Sequence, residues 1–305
     1  MNAPRRVNYP IGRLPDFIAV GPPRTGTTWL SRALQGCVGL PEGIKETQFF
    51  TWNYAQGPDW YRAYFRDCSP TLPAGEIAPT YFDYPEARKR IVAMMPGCRI
   101  VCSLRDPVAR IYSQYKAWHR AGLTTGPFDY AVHRPFLAAS SSYAVNLRGW
   151  YAAFGRENVM VALYDDLRAS PQAYLDSICR FIGVARIDLG ASRAKSQSIN
   201  RSERGPWSPR LARAGRSLRD YLIRKRVTRL AKYLEAGTPL WRIMFSGGPR
   251  YPELAQGEEE RLRIAMRPEV EELQELLGRD LHVWTEIRHP AIEVAARAPV
   301  VRGGE

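Results

Sequence analysis

The chain has 305 residues, of which 45% are apolar, so it can bury the core of one large or two small domains. This composition excludes a disordered, collagen-like or disulfide-stapled miniature protein. The sequence lacks a run of about 18 apolar residues for a membrane span and an apolar signal-peptide stretch near its start, so we expect a soluble, cytoplasmic protein. Five cysteines without a CxxC pair and four scattered histidines favour a reducing compartment, with neither a disulfide framework nor a zinc site.

The net charge of +14 is concentrated in one segment. Residues 193–232 contain thirteen lysines and arginines against two acids, which gives this segment a charge of +11. Such a segment is typical of a surface that faces nucleic acid, an anionic membrane, an acidic substrate or only water, and composition does not choose among them. Residues 1–14 and 289–305 lack apolar periodicity, and we predict that they are mobile tails around one domain at 15–288.

Short apolar runs alternate with periodic segments along the chain. The runs at 16–20, 99–104 and 159–164 predict buried strands. The periodic segments predict helices from Thr27, over 85–95, 107–121 and 143–154, from Ser170-Pro171 to Gly183, over 208–234, and over 258–277 with a break at Pro268. This alternation predicts an α/β fold, a three-layer α/β/α arrangement with a central parallel sheet and extra C-terminal helices. Ligands of such sheets bind at the carboxyl ends of the strands.

The first candidate site is the sequence Gly-Pro-Pro-Arg-Thr-Gly-Thr-Thr-Trp at 21–29, between the first strand and the first helix. Backbone N–H groups of such a loop and the positive end of the helix dipole favour a phosphate. The two glycines have the spacing of a nucleotide P-loop, yet Thr27 replaces the lysine that would reach the β- and γ-phosphates. The positive charge is instead Arg24, inside the loop. The loop therefore favours a shorter anion over ATP or GTP.

A second candidate phosphate site follows the strand at 99–104. Arg105 ends this strand, and Ser113 lies eight residues later on the next helix. Because parallel strands present their carboxyl ends at one edge of the sheet, both side chains can converge on a second phosphate near the first loop. The planar guanidinium of arginine suits this task, since it binds two phosphate oxygens at once. Neighbouring Asp106 is not expected to bind magnesium, and His119 is expected to be a structural or solvated histidine.

The two motifs together resemble the sulfotransferases that use 3′-phosphoadenosine 5′-phosphosulfate (PAPS). The resemblance rests on Pro-Arg-Thr-Gly-Thr-Thr-Trp-Leu at 23–30 and Leu-Arg-Asp-Pro-Val-Ala-Arg-Ile-Tyr-Ser at 104–113, and it continues through 76–81, 164–167, 181–184 and 277–284. It implies a P-loop-like fold over 15–288. It also implies that the 5′-phosphosulfate is bound by Arg24, Thr25, Gly26, Thr27, Thr28 and Trp29, and the 3′-phosphate by Arg105 and Ser113.

The stretch Lys45-Glu46-Thr47-Gln48-Phe49-Phe50 resembles the Lys-Glu-Pro-His-Phe-Phe stretch of the heparan sulfate branch of this family. A glutamate is the general base in that branch, which implies Glu46 as the base here. Removal of an acceptor proton by a positioned carboxylate contributes roughly 10²–10⁴-fold to the rate. The resemblance further implies that Arg24, with help from Lys45, stabilises charge on the leaving phosphate. Thr47 and Gln48 stand where that branch has proline and histidine.

The resemblance implies in-line transfer of a sulfuryl group from PAPS, without a metal, to a hydroxyl or amine of a saccharide, a lipid-linked molecule or another small acceptor. Relatives close the 3′-phosphate site with a late loop. Two stretches are candidates, 198–202 and 246–250, and we favour the first, which places Asn200 and Arg201 among the nucleotide ligands.

The basic segment is predicted to belong to a mainly helical insertion at 193–250. One hypothesis is that residues 193–232 recruit an anionic acceptor or hold the protein on the inner face of an anionic membrane; the other is a solvated or dimer-forming helix. Two other protein classes remain as alternatives: a P-loop kinase or NTPase, which would share the first loop, and a basic nucleic-acid-binding protein. Neither alternative accounts for Arg105 and Ser113 together with Glu46, so we expect no nucleic-acid partner.

Overall fold

The computed structural model describes residues 12–124, 126–129, 137, 139–190, 204–224 and 247–287. Most of the two predicted tails lies outside the described residues, and so does the stretch 198–202 with Asn200 and Arg201. The described part of the basic segment is residues 204–224.

The described residues form one parallel sheet whose strands are β1 (Phe17–Val20), β2 (Gly75–Ile77), β3 (Arg99–Leu104) and β4 (Val159–Leu163). The strand order is β2-β1-β3-β4. Three of these strands agree with the prediction to within one residue at each end. Strand β2 was not predicted, because three residues are too few to establish a period and the central one is a glutamate.

The helices surround this sheet on both faces. They are α1 (Thr27–Leu34), α2 (Pro58–Arg62), α3 (Pro85–Met94), α4 (Pro107–Arg120), α5 (Tyr143–Phe154), α6 (Tyr164–Ala169), α7 (Pro171–Ile182), α8 (Pro209–Arg224) and α9 (Gln256–Leu277). Short 3₁₀ turns occur at Tyr54–Gln56, Ala63–Phe65, Pro79–Tyr81, Arg156–Asn158 and His282–Trp284. Among the helices of the described ranges, none has the length and apolar character that a bilayer span requires.

Side chains of β1 alternate between the two faces of the sheet, and helices cover each face. Ile18 and Val20 enter a core shared with α3, α5 and α9. Phe17 and Ala19 enter a second core shared with α1 and α7. The predicted three-layer α/β/α fold with a central parallel sheet is therefore confirmed.

Helix α9 runs without interruption through Pro268, so the predicted break at this residue is wrong. Proline removes one N–H donor from a helix, and its ring pushes away the carbonyl four residues earlier, here that of Ile264. Both residues lie on the exposed side of α9, where water can bind the released carbonyl. Leu262 and Val270 are buried on either side of the proline, and their packing keeps the helix continuous.

The order of the strands determines where a ligand can bind. Strand β1 lies between β2 and β3. The chain continues from β1 to β2 on one side, whereas β3, which pairs with β1 on the other side, follows later in the chain. The crevice at such a point is where open α/β sheets bind ligands. Because β1 and β3 pair in parallel, the loop at 21–26 and the turn after Leu104 meet at this crevice.

Candidate active site

The loop at 21–26 links β1 to α1 and contains three residues with positive φ. Gly21 has a φ of 134°, and a Cβ atom here would lie 2.2 Å from the carbonyl oxygen of Ser103 on β3, so only glycine fits. Gly26 (φ 95°) precedes α1, and no described side chain caps this helix end. Arg24 has a φ of 81°, a conformation that costs a non-glycine residue roughly 1–2 kcal/mol. The geometry leaves the first N–H groups of α1 for a ligand.

Arg24, Arg105 and Ser113 come from three separate elements and contact one another. Nε of Arg24 donates a hydrogen bond to Oγ of Ser113 at 3.0 Å. Nη1 of Arg105 donates to the carbonyl oxygen of Arg24 at 3.2 Å, and its guanidinium lies over the ring of Tyr164, 4.6 Å from the centroid. The structure thus brings the two sequence motifs together at the carboxyl ends of β1 and β3.

The electrostatics of this cluster favour an anion. The pKa of Arg24 is lowered to about 10, chiefly by burial and further by the positive charges of Arg120 and Arg105. Arg120 ends α4, and the sequence analysis did not single it out. Arginine with this pKa stays protonated at neutral pH, so the positive charges repel one another. A bound phosphate or sulfate would relieve this repulsion, because a nearby opposite charge stabilises the protonated form.

Other residues of the first motif support the loop from beneath. Thr25 is buried, and its hydroxyl donates to the carbonyl oxygen of Pro22 at 2.9 Å, which closes the loop on itself. Trp29 is buried and packs edge-on against Tyr174, with ring centroids 5.9 Å apart. The ring of Trp29 therefore belongs to the core beneath the loop. The backbone N–H group of Trp29 lies in the first turn of α1, together with those of Thr27 and Thr28.

Glu46 is partly buried, and two neighbours hold its carboxylate. Nζ of Lys45 forms an ion pair with Oε1, and Nε2 of Gln48 donates to Oε2 at 3.0 Å. The amide oxygen of Gln48 in turn accepts the hydroxyl of Thr80 at 2.6 Å and that of Thr51 at 3.2 Å. Each oxygen of Glu46 thus has its own donor, and Gln48 is itself fixed by two hydroxyl groups.

Glu76 fixes the loop of Glu46 to the sheet, a role that the sequence analysis did not assign. It is fully buried in β2. Its Oε1 accepts the N–H of Thr47 at 2.6 Å and the hydroxyl of Thr47 at 2.8 Å, and its Oε2 accepts the hydroxyl of Tyr61 at 2.9 Å. Burial raises the pKa of Glu76, and these hydrogen bonds offset part of the rise. Proline in place of Thr47 could donate neither of these two hydrogen bonds to Glu76.

Asp106 and His119 have structural contacts. Oδ1 of Asp106 accepts the N–H of Val108 at 2.9 Å as the cap of α4, and it also pairs with Nη1 of Arg263 at 2.9 Å. Nδ1 of His119 lies 2.9 Å from the hydroxyl of Tyr251, and burial lowers the pKa of this histidine. Within the described ranges, no group of three or more His, Cys, Asp and Glu side chains could hold a metal ion.

A cleft of about 450 Å³ opens beside Lys45, within the size range of small-molecule sites. Ser31 of α1 and Gln35, just after this helix, line it on one side, and Ile44 and Ile77 add apolar surface. Ser31 lies one helical turn after the start of α1, so the polar side of this helix leads from the first loop to the cleft. The cleft therefore adjoins Lys45 and the helix that follows the first loop.

The sulfotransferase-domain family model matches residues 14–201, which is more than half of the chain. The chain belongs to the sulfotransferase family. Similar proteins include the human bifunctional heparan sulfate N-deacetylase/N-sulfotransferase 2, 29% identical over 197 residues, and the mouse N-deacetylase/N-sulfotransferase 1, 31% identical over 197 residues. Each match covers 56% of this chain and 22% of the relative, so the chain spans about a fifth of the length of these relatives.

Among solved structures, the sulfotransferase from Alicyclobacillus acidocaldarius has a TM-score of 0.61 at 21% identity, and the match covers 90% of this chain and 100% of that chain. The two proteins therefore share a fold. Membership in the family decides in favour of a sulfotransferase over a P-loop kinase or NTPase. The family match ends at residue 201, so α8 and α9 of this sulfotransferase lie beyond it.

Proposed function

We propose that this sulfotransferase moves the sulfuryl group of PAPS to a hydroxyl or amine of an acceptor, with Glu46 as the general base. The observation that carries the proposal is the hydrogen bond between Arg24 and Ser113. This bond joins the loop suited to a 5′-phosphate and the pair suited to a 3′-phosphate in one cationic site. PAPS carries phosphate at both positions, so a single molecule can engage both motifs.

The donor is bound through charge and backbone N–H groups. The first turn of α1, with Thr27 and Thr28, holds the 5′-phosphosulfate at the positive end of the helix dipole. Arg105 and Ser113 hold the 3′-phosphate, whose negative charge offsets the repulsion from Arg120 and Arg105 that, after burial, lowers the pKa of Arg24. Asn200 and Arg201 stay the proposed late-loop ligands.

The transfer is in line, and it forms one bond to sulfur as another breaks. The acceptor atom attacks sulfur, the bridging oxygen leaves on the 5′-phosphate, and Glu46 takes the acceptor's proton. Negative charge builds on the leaving phosphate, where Arg24 and Lys45 stabilise it. Gln48 contributes by holding Oε2 of Glu46.

The acceptor that we propose is a saccharide or a glycolipid. The similar proteins reported above include heparan sulfate N-sulfotransferases, whose names specify a saccharide. The cleft beside Lys45 also supports this class, because its lining mixes polar groups for hydroxyls with apolar groups for the C–H faces of a sugar ring.

Calorimetric titration tests the donor site, with 3′-phosphoadenosine 5′-phosphate (PAP) as the probe and 5′-AMP and ATP as comparisons, each with and without magnesium. PAP should bind without magnesium and at least about tenfold more tightly than 5′-AMP, because a hydrogen bond to a charged group contributes roughly 1.5–3 kcal/mol. Arg105→Ala should remove this preference, whereas the matched change Arg148→Ala, at an exposed position of α5, should leave it. Equal wild-type affinity for PAP and 5′-AMP would refute the 3′-phosphate assignment.

The base is tested separately by Glu46→Gln, which keeps the shape of the side chain but cannot accept the proton at neutral pH. The variant should bind PAP as the wild type does and lose roughly 10²–10⁴-fold in transfer from PAPS to saccharide acceptors. Transfer at the wild-type rate would refute the assignment of Glu46.

A further inference from the structure

Helix α8 docks on the end of α4 through one of its sides. Ala212 and Gly215 are buried on this side. Nε of Arg213 donates to the carbonyl oxygen of Gly122, just after α4, at 3.0 Å. Small residues and a fixed arginine therefore hold α8 against the protein and determine which of its sides faces outward.

Exposed apolar side chains lie beside this buried side of α8. Leu211, Leu218 and Tyr221 are spaced by seven and three positions, which places them along one line of the helix. Their exposed fractions are 44%, 51% and 52%, and Trp207, just before the helix, is 68% exposed. We call these four residues the outer stripe. A helix on the surface of a protein in water normally has polar residues at such exposed positions.

Positive charge accompanies the outer stripe. Residues 204–224 contain six arginines against one acid, and the side chains of Arg204 and Arg210 are exposed. A basic helix with an exposed apolar line and an adjoining tryptophan matches the helices that lie in the interface of an anionic membrane. Nucleic acid would complement the arginines but gives exposed leucines nothing to pack against. A second copy of α8 would bring two strongly positive segments together.

We propose that Trp207 and α8 dock this sulfotransferase peripherally on an anionic lipid surface. The outer stripe enters the boundary between headgroups and acyl chains, and the arginines bind headgroup phosphates. Docking of this kind lies in the plane of the interface and needs no span. Helix α4, on which α8 rests, also carries Ser113 and Arg120, so the lipid surface lies on the α4 side of the active site. This arrangement suits an acceptor that is itself carried by a lipid.

Co-sedimentation of the full-length protein with vesicles tests the proposal. The vesicles contain phosphatidylcholine alone or phosphatidylcholine with phosphatidylglycerol, and the protein should partition strongly onto the second only. The double variant Leu211→Asp, Leu218→Asp should lower partitioning by about tenfold or more for each leucine, since each change removes the burial of one apolar side chain. Ile264→Asp on α9, which is 61% exposed, is the matched control and should partition like the wild type.

A second variant separates charge from apolar insertion. Arg204→Glu, Arg210→Glu should lower partitioning by about fivefold or more for each arginine, and this loss should shrink at high salt. Wild-type protein that ignores anionic vesicles would overturn the proposal. So would wild-type partitioning of the double-leucine variant, or tight duplex-DNA binding that this variant retains in place of vesicle binding.

Vesicle binding and PAP affinity are measured separately, so they distinguish this proposal from the proposed function. Thermal unfolding and PAP affinity of each variant should match the wild type, because the outer stripe and Ile264 lie outside the donor site. Loss of vesicle binding with intact PAP affinity concerns only α8. Failure of PAP binding with intact vesicle binding concerns only the donor site.

Discussion

One nearly isosteric change replaces the hydrogen bond from Gln48 to Glu46 with electrostatic repulsion. In Gln48→Glu, Oε1 still accepts the hydroxyls of Thr80 and Thr51, so the side chain stays anchored. The amide nitrogen that donated to Oε2 of Glu46 at 3.0 Å becomes a carboxylate oxygen. The change therefore replaces the donor at the proposed base with a negative charge and leaves the rest of the loop intact.

The expected loss of activity in Gln48→Glu follows from two contributions. Loss of a hydrogen bond to a charged group costs roughly 1.5–3 kcal/mol. Two carboxylates about 4 Å apart repel by about 4 kcal/mol at the effective dielectric constant of about 20 that holds near a protein surface. The pair escapes this repulsion when Glu46 turns away or takes up a proton, and in either state it cannot act as a base. Sulfuryl transfer should therefore fall by about 100-fold or more, which corresponds to about 2.7 kcal/mol in the barrier.

The assay measures kcat for transfer from PAPS to the best acceptor of a saccharide panel, together with PAP affinity by calorimetry. Gln48→Glu should lower kcat and leave PAP affinity within about threefold, since the side chain of Gln48 is hydrogen-bonded to Glu46, Thr51 and Thr80. Gln48→His restores a donor and should recover most of the activity, and Thr80→Val should cost about fivefold through one lost neutral hydrogen bond. A Gln48→Glu variant that retains the wild-type kcat would refute this reasoning.

Three further predictions concern the framework of the site. Gly21→Ala should lower the free energy of unfolding by about 3 kcal/mol or more, since positive φ and a 2.2 Å contact with the Ser103 carbonyl act together. Gly43→Ala, with φ +72° and no atom within 4 Å, should cost only about 1–2 kcal/mol, and urea unfolding compares the two. Because burial raises the pKa of Glu76, the native state loses stability as pH rises from the unfolded-state value of 4.5 through the folded one. Glu76→Gln should flatten this fall in unfolding experiments carried out at a series of pH values; a parallel pH dependence of variant and wild type would contradict it. Arg263→Ala removes the buried counter-charge of Asp106 and should lower the free energy of unfolding by about 3 kcal/mol, visible as a lower thermal midpoint; an unchanged midpoint would show that the pair contributes nothing.

Much of the fold is predictable from local sequence. Strands β1, β3 and β4 are short apolar runs because the sheet is buried on both faces, so their residues need no polar alternation. The start of α4 follows from Asp106 before Pro107, a capping residue before a proline at the first turn. The error at Pro268 has a different origin: the local cost of proline is offset by burial of Leu262 and Val270, and packing of this kind is not visible in a sequence window.

The candidate site was likewise predictable only in part. Arg24, Arg105 and Ser113 could be placed together because parallel strands end at one edge of the sheet. The roles of Glu76 and Arg120 could not be predicted, since they depend on contacts between distant parts of the chain. Glu76 bonds to a residue 29 positions earlier, and the available signal was a single acid inside the run Ala-Gly-Glu-Ile-Ala at 74–78. A lone carboxylate in a short apolar run indicates that hydrogen-bond donors from other parts of the chain surround it.

Helix α9 shows that the segment matched by the family model and the packed core have different limits in this protein. The helix lies after residue 201, where the family match ends, yet its Val270 packs in the core beneath β1 and β3. Its Arg263 neutralises Asp106, which caps the helix that carries Ser113. Removal of everything after residue 201 would expose apolar surface on α4 and α5 and leave the buried Asp106 without its counter-charge. The segment that the family model matches is therefore shorter than the part of the chain whose packing holds Asp106 and α4 in place.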